Sequence, residues 1–178
     1  MNKIKKIWWV IERNAIKLID GFNPRLYMKN YNRYLRKIGI DMKGVPRFIH
    51  PTVVFDGKGY DRIHIGDNVV ISRDTLLLIH DYSITCGLRS VGDEIEHEAY
   101  WINDINIGNN VFIGAKCTIL PGSNIVDNCI IGAGTVIKGK ILPNSIYTGN
   151  SAKKLADIKE WAHKKKKIGD YYFERSFF

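Results

Sequence analysis

The sequence predicts an all-β fold built as a parallel β-helix with helical segments at both ends, and three observations carry that expectation. First, residues 107–136 read as five consecutive six-residue units, IGNNVF, IGAKCT, ILPGSN, IVDNCI and IGAGTV. Ile107, Ile113, Ile119, Ile125 and Ile131 recur at every sixth position, and Ile137 opens a further unit. Strand side chains alternate between faces, so one inward aliphatic per unit fits a short flat strand followed by a corner, repeated as the chain winds about one axis. Second, Gly or a small polar residue follows the isoleucine in several units, where a tight corner leaves little room for a side chain. Third, the phase extends upstream: Ile65, Ile71 and Leu77 head IGDNVV, ISRDTL and LLIHDY, and residues 49–55 offer a weaker earlier unit. An ordinary sheet yields two or three such units; five in register mark a solenoid.

Length and composition bound the rest. The 178 residues suit one elongated domain, divided by pattern into a helical cap over 1–44, the solenoid over 45–151 with a loop extruded over about 81–106, and a basic helix and tail over 152–178. The formal charge of +9 comes largely from the two ends, through segments such as MNKIKKIWW and HKKKK. Basic tails are ordinarily solvated faces; anionic ligands, membrane lipid and nucleic acid share the alternatives, and the expectation is no nucleic-acid partner. Cys86, Cys117 and Cys129 are odd in number and form no CxxC pair, which argues against disulfides and a cysteine zinc site. Cys117 and Cys129 occupy the same position of their units and read as small core residues. The start MNKIKKIWWVIERN is basic, yet Glu12 and Arg13 cut its apolar run short of a secretory signal or a membrane span. A reducing cytoplasm is the expected compartment.

In chain order, residues 3–20 place Ile4, Ile7, Trp8, Ile11, Ala15, Leu18 and Ile19 on one helical stripe, with Lys5, Lys6, Glu12, Arg13 and Lys17 largely around it. Gly21, Asn23 and Pro24 end that helix. A second, rich in Arg, Lys and Tyr, runs from about Pro24 to Ile38, and Gly39 supplies its stop. A solenoid end exposes apolar rungs and unpaired backbone, so the first reading of both helices is a cap over the open first coil. The second is a Trp8/Trp9 basic helix lying weakly and peripherally on an anionic membrane surface. From Val45 the chain enters the solenoid, and GKGYDRIHIGDN bridges the first strand-like unit to the regular ones. Alternation points His64 away from the core, and His50 before Pro51 reads as a corner.

Between Tyr82 and Ile105 the pattern stops, and a loop longer than about 12 residues with no pattern of its own is more often functional than decorative. His80 ends an apolar strand immediately before that break, with Asp81 beside it and His97 inside the loop. A rigid strand holds the imidazole while a loop closes over a substrate, and neutral imidazole takes a proton from an alcohol or amine near pH 7. His80 is therefore the candidate general base and Asp81 its candidate support. His50, His64, His80, His97 and His163 offer no closely spaced pair that could converge on zinc, so no metal site is expected. No GxxxxGK[ST] appears, and IGAG reads as a coil corner.

After the repeat, VIKGKILPNSIYTGNSAKKL shortens the spacing by two residues between Ile137 and Ile141 and completes a last coil with Pro143, Asn144, Gly149 and Asn150. Residues 152–168 read as a basic helical tail with Leu155, Ile158 and Trp161 along one side. The aromatic DYYFERSFF is expected to pack on a neighbour or on the solenoid wall.

Residues 107–155 resemble the C-terminal half of hexapeptide-repeat acyltransferases, in particular the galactoside and maltose O-acetyltransferases and the sugar O-acetyltransferases of surface polysaccharide clusters, and the likeness extends back to Ile63. The resemblance implies a left-handed parallel β-helix, a homotrimer, and acetyl-coenzyme A as acyl donor in the groove between neighbouring solenoids. It makes His80 the counterpart of the histidine that follows an apolar strand just before the extruded loop of the galactoside-type enzymes. The family ending glycine-asparagine-proline-alanine-lysine appears as Gly149, Asn150, Ser151, Ala152 and Lys153, with serine in place of proline. Where relatives carry threonine-lysine-aspartate after the IGAG coil, this chain has Lys138, Gly139 and Lys140. The coenzyme contacts implied are Gly114, Ala115, Gly132, Ala133, Lys138, Lys140 and Lys153.

The leading expectation is acetyl transfer to a hydroxyl of a sugar or saccharide intermediate in a ternary complex. His80 takes the hydroxyl proton and returns it to the leaving thiolate, while a backbone N–H from a coil of the adjacent subunit stabilises the oxyanion. Residue types do not separate oxygen from nitrogen acceptors, so N-acetylation of an amino sugar or nucleotide sugar stays open, as does a non-catalytic trimeric scaffold. An acyl-cysteine at Cys86 is the lesser route, since a lone loop cysteine is usually incidental.

Overall fold

The computed structural model describes residues 3–173. Helices α1 (Lys3–Ile19) and α2 (Pro24–Ile38) precede a run of short strands that fall into three parallel sheets visited in rotation. The first sheet collects Asp41–Met42, Ile63–Ile65, Ile105–Ile107, Asn124–Ile125 and Lys140–Ile141. The second collects Phe48–Ile49, Val70–Ile71, Val111–Ile113, Cys129–Ile131 and Ser145–Thr148, and the third Val54–Phe55, Leu76–Leu77, Thr118–Ile119 and Val136–Ile137. Consecutive isoleucines of the repeat go to different sheets: Ile107 to the first, Ile113 to the second, Ile119 to the third, before Ile125 returns beside Ile107.

Strands of two or three residues are too short to hold themselves, and the columns they form supply the cohesion. Ile65, Ile107, Ile125 and Ile141 stack in the first sheet, and Ile49, Ile71, Ile113 and Ile131 in the second. Phe55, Leu77, Ile119 and Ile137 stack in the third. All but Phe55 are buried, and each buried aliphatic contributes roughly 1.5–3 kcal/mol relative to exposure. The corners between the first and second sheets carry a second ladder. Asn68, Asn110, Asn128 and Asn144 sit at φ 53 to 58°, a left-handed region that asparagine tolerates better than most residues. Each passes an amide hydrogen bond to the next, at 3.1, 2.8 and 3.1 Å.

The extruded segment leaves between the third and first sheets. Asp67 N–H reaches Asn109 Oδ1 across 42 residues, whereas the same contact one coil on, Asn109 N–H to Asp127 Oδ1, spans 18. The sequence leaves this segment without structure, and here the chain differs. His80–Asp81 and Trp101–Ile102 form an antiparallel hairpin base, and α3 (Ser83–Ser90) lies between them. Asp81 Oδ1 accepts the Ser83 N–H at 2.7 Å at the start of α3. Thr85 then ties the helix to the returning limb, its Oγ1 donating to Ala99 O at 2.8 Å and accepting from Ala99 N–H at 2.9 Å. A short helix carrying Gly87 has too little periodicity to be read from sequence.

Two further expectations are corrected at the ends. Residues 152–168 are not helical throughout: Lys153–Asp157 is a strand antiparallel to Ser145–Thr148, and α4 (Ile158–Ile168) follows. The open edge of the last coil needs a partner, and the Asp157 carboxylate, accepting from Lys159 and Glu160 N–H at 2.8 and 3.2 Å, starts the helix only beyond it. Tyr171, Tyr172 and Phe173 are exposed on the single chain rather than packed on the wall, which leaves a neighbour as the expected surface for them; residues 174–178 of that aromatic stretch lie outside the described residues.

At the other end α2 lies against the first coil. Tyr27, Met28, Tyr31 and Leu35 are buried, Tyr27 and Tyr31 stack at 5.1 Å, and Tyr27 OH donates to Ile49 O at 2.7 Å. α1 packs on α2, with Lys37 paired to Glu12 at 2.6 Å, but of the stripe expected to cover the coil only Ile19 packs against the core. Ile16, Trp9 and Ile19 face the core, while Ile4, Ile7, Trp8, Ile11 and Leu18 face outward. The helix has two apolar faces, and the shorter one makes the contact. No helix among the described residues is long and apolar enough to cross a membrane.

Candidate active site

His80 stands on the hairpin base opposite Ile102, three residues after the third-sheet strand ends at Leu77 and next to the buried Ile79. Its Nδ1 meets the carboxylate of Asp56. Asp56 is held from two sides: Oδ2 also accepts the Ile79 N–H at 3.1 Å, and Oδ1 accepts the Lys58 N–H at 3.2 Å. It is only 9% exposed, so its lone pairs are committed to these donors and to the imidazole. A carboxylate can only accept, so Nδ1 carries a proton, and in the neutral imidazole the lone pair then lies on Nε2. That is the tautomer a general base requires. The adjacent Asp81 does not take this role: its carboxylate turns to the Ser83 N–H, which holds it below the usual carboxylate range, with smaller contributions from Lys138 and His80.

Two tyrosines of the extruded segment flank the imidazole. Tyr82 and Tyr100 meet the His80 ring edge to face at 5.3 and 6.2 Å, and their own rings lie 5.1 Å apart. Lys58 Nζ sits 4.5 and 4.1 Å from the two ring centres and donates to the Tyr82 hydroxyl, the contact that holds its ammonium above the ordinary lysine range. Apolar faces, a cation and a basic nitrogen therefore converge at one exposed spot. Neither Asp56 nor Lys58 is singled out by the sequence. The usable signal is register: Phe55 pairs with Leu77, which brings the residues after Phe55 beneath those after Leu77.

The residues expected to contact the coenzyme fall in three places within one chain. Gly114 with Ala115, and Gly132 with Ala133, follow Val111–Ile113 and Cys129–Ile131 on consecutive coils at the corner between the second and third sheets. A Cβ on Gly114 would lie 2.6 Å from Ala133 N, and one on Gly132 3.1 Å from Thr148 Oγ1, so coil stacking alone requires the first and favours the second. Lys138 and Lys140 flank Gly139 at the corner between the third and first sheets, the corner the His80 hairpin leaves from. Lys153 is exposed on the strand paired with Thr148.

The other histidines and cysteines have structural partners or stand apart. His64 bonds Asp41 Oδ2 at 2.8 Å through Nδ1, and His50 Nδ1 lies 2.9 Å from Thr52 Oγ1. Cys117 and Cys129 are buried, and burial raises both thiols above the usual range; Cys86 is exposed on α3. Among the described residues no three His, Cys, Asp or Glu side chains cluster as a metal site would need.

Comparison with known proteins agrees with this architecture. Residues 104–139 match the family Bacterial transferase hexapeptide (six repeats). The acetyltransferase-like protein YvoF of Bacillus subtilis (strain 168) is 31% identical over 154 residues, 85% of this chain and 78% of that one. Galactoside O-acetyltransferase of Escherichia coli (strain K12) is 31% identical over 132 residues, covering 66% of this chain and 64% of that enzyme. The crystal structure of a maltose O-acetyltransferase from Clostridium difficile 630 superposes with a TM-score of 0.55 at 25% identity, over 85% of this chain and 88% of that one. With its repeat columns, its sheets visited in rotation and a relative matched over most of both lengths, the chain belongs to the hexapeptide-repeat acyltransferases.

Proposed function

We propose that this acyltransferase moves an acetyl group from acetyl-coenzyme A to a hydroxyl of a sugar or saccharide intermediate of the surface-polysaccharide kind, by direct attack in a ternary complex. The observation that carries the reading is the Asp56–His80 pair, with Nε2 left basic beside an exposed aromatic wall. His80 Nε2 accepts the hydroxyl proton as the acceptor oxygen attacks the thioester carbonyl; the carbon–sulfur bond then breaks and His80 returns the proton to the thiolate. Asp56 keeps the ring oriented and offsets the positive charge that the imidazole gains. Tyr82 and Tyr100 offer ring faces to the C–H side of a sugar, and Lys58 offers a cation to its polar rim.

The family's left-handed β-helix and homotrimer complete the proposal. One chain disperses Gly114, Ala115, Gly132, Ala133, Lys138, Lys140 and Lys153 over separate corners, and a groove between neighbouring solenoids would draw on corners from two chains. Lys138, Lys140 and Lys153 are exposed cations suited to the phosphates of the coenzyme. The named activity of the galactoside and maltose relatives supports an oxygen acceptor. The test is an acceptor screen with purified protein, acetyl-coenzyme A and a panel of saccharides, nucleotide sugars, amino sugars and serine, read by thiol release. Neutral or acidic saccharide hydroxyls are expected to give the highest kcat/KM. Preference for serine, or for the amine of an amino sugar, would overturn the reading.

A further inference from the structure

The outward stripe of α1 is an apolar surface on a charged cap. Ile7, Trp8, Ile11 and Leu18 are 60, 64, 52 and 74% exposed, and Phe22 in the following turn is 92% exposed. Their spacing puts the four helical positions along one side, a strip of about 17 Å at 1.5 Å per residue. Contiguous apolar surface of this kind marks an interaction site on a soluble protein.

Charge identifies what the surface fits. Residues 1–38 contain ten Lys and Arg against Glu12 and Asp20 alone, so this segment holds +8 of a chain whose total is +9. Arg25, Lys29 and Arg33 are exposed on the face of α2 opposite its buried Tyr27, Tyr31 and Leu35, and the exposed Arg36 and Lys37 beside them are engaged by Gly44 O and the Glu12 carboxylate. Beside them, Arg25, Lys29 and Arg47 line an open groove of about 720 Å³ between α2 and the first corner of the coil stack. An apolar helix face alone gives weak, reversible membrane binding, and a polybasic surface beside it supplies the second signal.

We propose that α1 and α2 form an anionic-membrane docking surface, with α1 lying in the interfacial plane and the α2 cations facing acidic headgroups. The surface is independent of the acetylation chemistry, and either could fail without the other.

The experiment is co-sedimentation of the full chain with vesicles of phosphatidylcholine, with and without phosphatidylglycerol, at low and high salt. Each cation near an acidic surface contributes about 1 kcal/mol, so phosphatidylglycerol is expected to raise binding at least tenfold at low salt, and high salt to remove most of the gain. A Trp8→Glu/Ile11→Glu variant is expected to lose at least tenfold in vesicle binding while keeping native oligomeric state and native turnover of a soluble acceptor. Failure of the native chain to bind acidic vesicles would overturn the proposal. So would native-level binding by the variant, or loss of the native assembly in the variant, since that last result would mean a second copy covers the stripe.

Discussion

Asp56 and His80 lie 24 residues apart in sequence and meet across adjoining coils, the Asp56 carboxylate against the imidazole Nδ1 and the Ile79 N–H at once. One carboxylate thus holds the backbone that carries the histidine and sets the tautomer of its ring.

Replacing Asp56 separates these two roles. Asp56→Asn keeps the shape but lets its amide donate to Nδ1, which favours the wrong tautomer; kcat is expected to fall about 10²–10⁴-fold with acceptor KM little changed. Asp56→Ala also strands the buried Ile79 N–H and is expected to cost about 1–3 kcal/mol of stability. Steady-state kinetics and thermal melts of the two variants check both statements.

Lys58 lies beside His80 without touching its ring nitrogens. Lys58→Met keeps much of the packing on Tyr82 and Tyr100 and removes the charge. Acceptor KM is expected to rise a fewfold, with acetyl-coenzyme A KM unchanged. A change confined to acetyl-coenzyme A would place Lys58 in the donor site instead.

Gly114 and Lys153, both expected to serve the coenzyme, are expected to fail in different ways. Gly114→Val drives a side chain into Ala133 backbone and should cost about 1–3 kcal/mol as overpacking. Lys153→Ala should leave the melting temperature alone and raise acetyl-coenzyme A KM only a fewfold, the scale of an exposed charge contact. Parallel melts and Michaelis analysis distinguish the two.

The thiols give a pH test. Burial raises the Cys117 and Cys129 thiols, so near pH 8 both stay protonated and shielded, whereas Cys86 is exposed on α3 and open to reagent. Native protein should take up one equivalent of a thiol reagent rapidly and three after unfolding, counted by mass spectrometry. Rapid native labelling of Cys117 would contradict the packing of its coil.

The isoleucine spacing made the coil stack legible, because one buried aliphatic per corner is a physical requirement written at a fixed interval. The position of His80 at the edge of the extruded segment was legible too, because it is the last position before that interval fails. The Asp56 contact was not, because its partner comes from the next coil and proximity across coils depends on register, not on neighbours in sequence; Asp81, the nearer acid, turns to the Ser83 N–H instead. The same limit hid the Lys153–Asp157 strand, whose partner edge decides it over a helix-compatible composition. α1 was read as helix correctly but with the wrong face inward, since Trp9 and Ile16 make a short second stripe that periodicity ranks below the longer one.

In the proposed direct transfer His80 is the proton acceptor. Thiol release from acetyl-coenzyme A with a saccharide acceptor, measured for the native chain, His80→Ala and Cys86→Ala, tests it most directly. The expected result is a loss of about 10²–10⁴-fold in kcat for His80→Ala and near-native turnover for Cys86→Ala. Retention of most activity by His80→Ala together with its abolition in Cys86→Ala would contradict the account and point to an acyl-cysteine route.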